Sequence, residues 1–398
     1  MYSAILGLSI GWNMFRIEFK HIDTFRWLAV MAVVLTLTFA GCHSATKDFN
    51  VGVLYPKTGE YARLGELIGK GARIAEQSAN QRLFTSGRGV KLSFRDSEGK
   101  PGIAREQFLA FADLDKVPVV VGGLLSSDTK AFAKDAVRKN ITVVANGSSD
   151  PTLRDIVGDA GNRVFRNWPS DDAEGRQMAE YTAERLHMKR GAAIIADEPY
   201  SRGLHSAFKR RFAELGGSTT EQFYQKGGDD FAILATKALS EAPQFIYAVG
   251  FPAELGRLAR EIRVRRADVP MISAVGIEST EFLEAAGTGA DNIFYSAPYI
   301  DTSSNSYQEF AALYRATYHE DPEVVAAVTF DAVMLVAQAI KQCGYSADGI
   351  RDCLYKVKDY PGASGVTSFD ARGDVIKPVS IKRVEKGKTF LLEVYRAR

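Results

Sequence analysis

Short apolar runs alternate with longer stretches of helical spacing along most of this chain. Phe49 to Tyr55 (FNVGVLY) is apolar enough for a first strand, and Gly65 to Asn80 places Leu67, Ile68, Ala72, Ile74 and Ala75 on one side of a helix. Val90 to Phe94 predicts a second strand and Ile103 to Leu114 a helix. Val117 to Val121 is a β-branched run that suits a strand buried on both faces of a parallel sheet. Gly122 and Gly123 break it, and Ser126, Ser127, Asp128 and Thr129 stand where they can cap a helix from Lys130 to Lys139. Ile141 to Ala145 predicts a fourth strand, ending in the polar turn Asn146-Gly147-Ser148-Ser149-Asp150-Pro151.

A second alternating series begins near Arg163. Val164 to Asn167, Gly191 to Ala196, Phe223-Tyr224, Phe245 to Val249, Met271 to Val275 and Ile293 to Ala297 predict strands. Helices are expected after Ser170 or Asp171 to about Leu186, then over Gly203 to Leu215, Phe231 to Leu239, from Pro252 to about Val264, and over Ser279 to Ala286. The pattern then changes to three helices without strands between them: Tyr307 to Tyr318, Val324 to Gln342 and Ala347 to Lys356. Gly365 to Phe369, Val379 to Val384 and Thr389 to Tyr395 are short β segments, with a tight turn at 370–374. Two βα blocks followed by a helical block predict two α/β lobes, with the last helices returning to the first.

The turn after Val121 carries the first chemical expectation. A helix N-terminus presents unpaired N–H groups and a partial positive charge, and it favours an anion. In an open α/β sheet such a turn lies at the carboxyl end of a strand, where ligands bind. Ser126 and Ser127 are therefore either parts of a carboxylate cradle or ordinary helix caps; the residues alone leave both open.

Composition narrows the field. The chain has 398 residues, 46% hydrophobic and 25% charged, with a net charge of +2, so no polyanion-binding surface and no nucleic-acid partner are implied. Five histidines and three cysteines occur without a CxxC or HExxH spacing, and no metal or cofactor is expected. The chain lacks GxGxxG after its first strand, GxSxG and the P-loop, which argues against an enzyme. Arg16, Lys20 and Arg26 precede the apolar run Trp27 to Ala40, short for a spanning helix and suited to an export signal. It ends in Phe39-Ala40-Gly41-Cys42, so residues 1–41 read as a lipoprotein signal peptide, Cys42 as the lipid acceptor and 42–48 as a tether. The alternative is a plain secretory signal with an incidental cysteine. Cys343 and Cys353 are either a local disulfide or two small core residues.

Several segments in collinear order carry a resemblance: FNVGVLYPKTGEYARLGELIGKGARIA, VVVGGLLSSDT, NGSSDP, FRNWPSDDAEG, DEPYSRGLHSAF, FPAELGRLAREIR, EFLEAAG and GVTSFDARGDV. From Phe49 onward the chain resembles the type I periplasmic binding proteins, in particular the leucine/isoleucine/valine-binding family that serves ABC transporters. The resemblance implies two Rossmann-like lobes with parallel sheets, three hinge crossings and a ligand cleft between the lobes. Lobe one is expected at 47–168 plus 301–373, and lobe two at 169–300 plus 374–398. It places ligand contacts on Ser126, Gly147, Ser149, Tyr200 and Phe251, with Tyr61, Arg63 and Leu64 in a first-lobe loop and Trp168 near a hinge.

It further implies a small carboxylate or amino-acid ligand, ABC permease subunits as partners and hinge closure as the signal; a sensing receptor of the same fold is the alternative. Localisation would be extracytoplasmic, on a membrane through a lipid anchor. One position departs from the family pattern. Where amino-acid-binding members carry an acid for the ligand ammonium, this chain has Val275. An apolar residue cannot balance a buried ammonium. Either Asp197, Glu198 or Glu278 substitutes, or the ligand has no α-amine.

Overall fold

The computed structural model of the protein describes residues 48–85, 87–158, 162–228 and 230–396. The expected signal peptide, Cys42 and the tether before Asp48 lie outside the described residues.

Five strands build the first sheet: β1 (Phe49–Tyr55), β2 (Val90–Asp96), β3 (Val119–Gly122), β4 (Thr142–Ala145) and β5 (Val164–Arg166). Their order is β2-β1-β3-β4-β5 and every pairing is parallel. All four residues of β3 and of β4 are buried. Helices cover both faces, which is why these strands read as unbroken apolar runs. Gly122 has φ +151° and a Cβ there would meet the Leu54 carbonyl oxygen at 2.2 Å, so the turn leaving β3 needs glycine.

The second sheet contains β6 (Arg190–Ala196), β7 (Ser218–Tyr224), β8 (Phe245–Val249), β9 (Met271–Ala274) and β10 (Ile293–Pro298), all parallel. The small antiparallel ribbon β11 (Tyr360–Gly362), β12 (Gly365–Phe369) and β13 (Val375–Ile376) follows in the chain. Two antiparallel strands, β14 (Val379–Glu385) and β15 (Lys388–Tyr395), then extend the second sheet to the order β15-β14-β10-β9-β8-β6-β7.

The late helices do return to the first sheet. Asn305–Tyr318, Val324–Cys343 and Ala347–Leu354 share one apolar core with Val51, Val119, Val144 and Phe165. The helix Val324–Cys343 is apolar and long enough to cross a membrane by composition alone. Here it is buried on nearly every side, as a helix apolar all round must be in a globular core. Its close partner is Ala62–Arg82: a Cβ on Gly71 would lie 2.3 Å from the Ala326 carbonyl oxygen. Cys343, at the end of the core helix, is disulfide-bonded to Cys353 in the next one.

The chain passes between the two sheets at three places: after β5, after β10 and between β13 and β14. The last passage falls later than expected. Val375 and Ile376 pair with Phe369 and Ser368, and Val375 belongs to the first core, so the first lobe extends past Gly373. The hydrophilic β7 (STTEQFY) also extends well before Phe223, because an edge strand leaves much of its length to solvent.

At this third passage lies a buried ion cluster. Arg166 Nε and Arg154 Nε donate to Asp374 Oδ1 at 2.7 and 2.9 Å, and the Arg166 amide donates to the Gly373 carbonyl at 2.9 Å. Both arginine side chains are 1% exposed. Burial alone would raise the Asp374 pKa, but the hydrogen bonds from the two guanidinium groups overcome it and hold the carboxyl at about 2. This stabilisation is fully present above the ordinary value of 3.8 and is lost as pH falls through about 2. Asp374→Asn leaves two buried cations undercompensated and should destabilise the fold by about 3–5 kcal/mol. Urea unfolding at pH 7 measures it, and a change below about 1 kcal/mol would refute the assigned role.

Candidate functional site

The ends of β3 and β4 set the geometry. After the Gly122-Gly123 turn, a helix begins at Ser126 and runs to Arg138. It therefore starts four residues earlier than the capping pattern predicts. Its N-cap position is Leu125, in extended conformation, with no side-chain cap. Ser126 and Ser127 lie inside the first turn, so their amides have no preceding helical carbonyl to bond. Capping is not what these serines do.

Ser126 instead ties the two turns together. Its Oγ accepts hydrogen bonds from the amides of Ser149 and Asp150, both at 3.3 Å. With two amides directed at its oxygen, the Ser126 hydroxyl keeps its proton to donate. The Ser148 amide donates to the Gly123 carbonyl at 3.1 Å, and Ser148 Oγ donates to Thr129 Oγ1 at 2.8 Å. A Cβ on Gly147 would sit 2.6 Å from the Leu124 carbonyl oxygen, so only glycine lets the two turns approach this closely.

A cavity of about 380 Å³ opens at this point, within the range of small-molecule sites. Ser126, Ser127 and Gly147 form its polar corner, and Leu64, Leu124, Leu125 and Val325 line its apolar wall from the first lobe. The second lobe contributes Tyr200, Phe251, Val275, Glu198, Glu278 and Lys382, and Trp168 joins them from the first passage between lobes. Of the residues expected to touch ligand, Ser126, Ser127, Gly147, Tyr61, Trp168, Tyr200, Phe251 and Val275 all line this one space.

Two do not. Ser149 is 1% exposed and stands behind Ser126, where its amide holds the Ser126 oxygen. Its backbone amide thus supports the corner. Arg63 does not line the cavity and is held by Glu323, by Thr280 Oγ1 at 3.0 Å and by Glu281 at 3.5 Å. It bridges first-lobe and second-lobe residues, and its cation is already matched.

A second bridge lies at the aromatic rim. The Tyr61 ring meets Phe251 edge-on at 5.4 Å, and the Lys226 ammonium sits 4.3 Å from the Tyr61 ring centre while pairing with Glu60 at 3.1 Å. The Tyr61 hydroxyl, in a residue 5% exposed, has no hydrogen-bond partner among the described residues. Such a group is costly to bury unless something fills its valence.

Charge at the site divides cleanly. Asp197 does not line the cavity and is engaged by Arg202 and by Gln225 at 3.0 Å. Glu278 accepts from Lys382 Nζ at 2.5 Å and from Tyr295 Oη at 3.0 Å. Glu198 lines the cavity and its carboxylate accepts no hydrogen bond among the described residues. Burial raises its pKa, with nearby Lys226 opposing and Asp197 adding to the shift. Asp128, in the first turn beside the serines, is buried and raised to about 7 by desolvation, so it does not impose a full negative charge on the polar corner near neutral pH.

The amino-acid sequence matches a family model over most of its length. The model for periplasmic binding proteins covers residues 48–389. The chain belongs to the periplasmic binding protein family. A Leu/Ile/Val-binding protein homologue of Brucella melitensis is 27% identical over 376 residues, spanning 92% of this chain and 99% of that one. A crystallised leucine-binding protein from Thermotoga maritima is 26% identical with a TM-score of 0.81, covering 87% and 98% of the two chains. A solute-binding protein of an ABC transporter from R. palustris, solved with benzoate, has a TM-score of 0.79 over 88% and 97% of the chains. At 21% identity that last likeness concerns the fold. By name the first two relatives bind leucine or leucine, isoleucine and valine and the third is a solute-binding protein, and the family fold is the type I α/β architecture described above.

Sequence patterns did not reveal Lys382. It sits mid-strand in VSIKRVE, where a lysine reads as a solvated side chain until the register with β10 turns it towards the cavity.

Ser126→Ala removes the hydroxyl proton and the oxygen that the two amides share. Carboxylate affinity should fall by about tenfold to a hundredfold, as expected for one hydrogen bond to a charged group. Titration calorimetry on folded variant and wild type measures it, and equal affinities would remove Ser126 from the site.

Proposed function

We propose that this chain is an exported solute-binding lipoprotein of an ABC importer, taking a small carboxylate with an apolar or aromatic body. The observation that carries this reading is the polar corner at Ser126, Ser127 and Gly147. Amides and a hydroxyl meet there beside the apolar wall of Leu64, Leu124, Leu125 and Val325, the arrangement a carboxylate with an apolar body needs when it leaves water. Three or four charge-assisted hydrogen bonds of about 1.5–3 kcal/mol each supply much of the roughly 8 kcal/mol of micromolar binding. Closure of the lobes around the ligand is the signal the permease would read, and the bridges made by Arg63 and Lys226 would hold the closed form. Lipid on Cys42 would keep the protein at a membrane surface.

Val275 faces the cavity where an acid would meet an α-ammonium, and both Asp197 and Glu278 are engaged elsewhere. That supports a ligand without an α-amine. A second reading rests on Glu198, whose carboxylate faces the same space without a hydrogen bond among the described residues. An amino acid is accommodated if its ammonium reaches Glu198.

A thermal-shift and calorimetry panel of leucine, valine, benzoate and aliphatic acids separates the two, because a ligand that binds only the folded state raises its melting temperature. Acids lacking an amine should bind with micromolar affinity and leucine at least tenfold more weakly. Tight leucine binding that Glu198→Gln abolishes would establish the amino-acid reading instead. For the anchor, Cys42→Ala should move the protein from the membrane fraction to the soluble fraction. Unchanged membrane association would count against lipidation.

A further inference from the structure

The cavity has a second polar station, on the wall supplied by the second lobe. Lys382 on β14 and Tyr295 on β10 are direct cross-strand partners, and both side chains converge on Glu278. Glu278 Oε1 accepts from Lys382 Nζ at 2.5 Å and from Tyr295 Oη at 3.0 Å. This uses one of the three donors of the ammonium, and among the described residues Lys382 Nζ makes no other hydrogen bond. Glu278 Oε2 likewise accepts none among the described residues. The Lys382 and Glu278 side chains are 22% and 27% exposed, and both residues line the cavity beside Val275 and Ser279.

A wall of this kind offers a free donor and a free acceptor within one net-neutral pair. A second carboxylate on the ligand would be drawn to Lys382 and repelled by Glu278. An ammonium would meet the opposite pair of forces. A neutral group that both donates and accepts, such as a hydroxyl or a carboxamide, satisfies both sides and opposes neither. Desolvation sharpens the preference at this wall, since an ion brought against the Lys382–Glu278 pair loses hydration and gains no net opposite charge from it.

We infer that the Lys382–Glu278 pair is a specificity determinant that selects, among carboxylates, those bearing a second, neutral hydrogen-bonding group. The inference rests on the carboxylate reading of the Ser126 corner and specifies the remainder of the ligand. Ser126 and its neighbours hold the acid from the first lobe, the apolar wall holds the body, and the second lobe reads the substituent.

The test uses two probe series in titration calorimetry with the mature protein. The aromatic series is benzoate, 3- and 4-hydroxybenzoate, terephthalate and 4-(aminomethyl)benzoate; the aliphatic series is hexanoate, 6-hydroxyhexanoate, adipate and 6-aminohexanoate. In at least one series the hydroxyl compound should bind about tenfold tighter than the unsubstituted acid and than both charged analogues.

Two substitutions then shift the preference in opposite directions. Glu278→Gln leaves Lys382 uncompensated and should improve the dicarboxylate relative to the hydroxy acid. Lys382→Met leaves Glu278 uncompensated and should improve the ammonium compound. A purely structural ion pair would weaken all probes alike or none, and that result overturns the inference. So does wild-type protein that binds plain acids as well as the hydroxylated ones, which leaves the carboxylate reading standing. Absence of binding by every probe in both series overturns the carboxylate reading and this inference with it.

Discussion

The site depends on one oxygen atom. Ser126 Oγ receives two backbone amides from the neighbouring turn, which fixes the spacing between the ends of β3 and β4. A hydroxyl so held has a defined direction for its proton, and the first-turn amides of Ser126 and Ser127 stand beside it. A corner held in this way needs little further ordering to receive the proposed ligand. The glycines at 122 and 147 are the steric condition for it, because a Cβ at either would collide with a backbone carbonyl.

From that corner the division of labour between the lobes follows. The first lobe offers amides, a hydroxyl and leucines; the second offers rings, Val275 and a matched pair of charges. Contacts across the gap differ in character. Arg63 makes a charged bridge to Thr280 and Glu281, whereas Tyr61, Phe251 and Lys226 make one that is aromatic and cationic. Exposed ion pairs contribute little on their own, about 0–1 kcal/mol, and rim contacts of this size hold one arrangement without making it permanent.

Much of this was legible in the sequence, for identifiable reasons. Fully buried parallel strands write themselves as β-branched runs, so β1, β3, β4, β6 and β8 were readable to within a residue or two. The resemblance to the family named residues of the corner and part of the lining. What it could not resolve were distances through space. Ser149 and Ser126 lie in equivalent-looking polar turns, yet one lines the cavity and the other supports it from behind. Arg63 appeared free because its partners Thr280, Glu281 and Glu323 are more than two hundred residues away along the chain. The capping expectation failed at Ser126 and Thr129 because Ser126 Oγ bonds across to the neighbouring turn and Thr129 Oγ1 donates back to the Gly123 and Leu125 carbonyls. β7 was shortened in prediction because its outward positions carry polar residues that follow no burial pattern.

The three passages between the sheets carry a mechanical consequence. One covalent connection would leave two bodies free to swing, twist and slide. Three short connections, running after β5, after β10 and between β13 and β14, act like parallel leaf springs. Shear and torsion strain all three together, whereas bending about the line that joins them strains each only slightly. The Arg154–Arg166–Asp374 cluster stiffens this line by binding the first passage to the third. For the lobe closure proposed above, such connections would leave close to a single rotation, and the two halves of the cavity would then meet in the same register each time they come together.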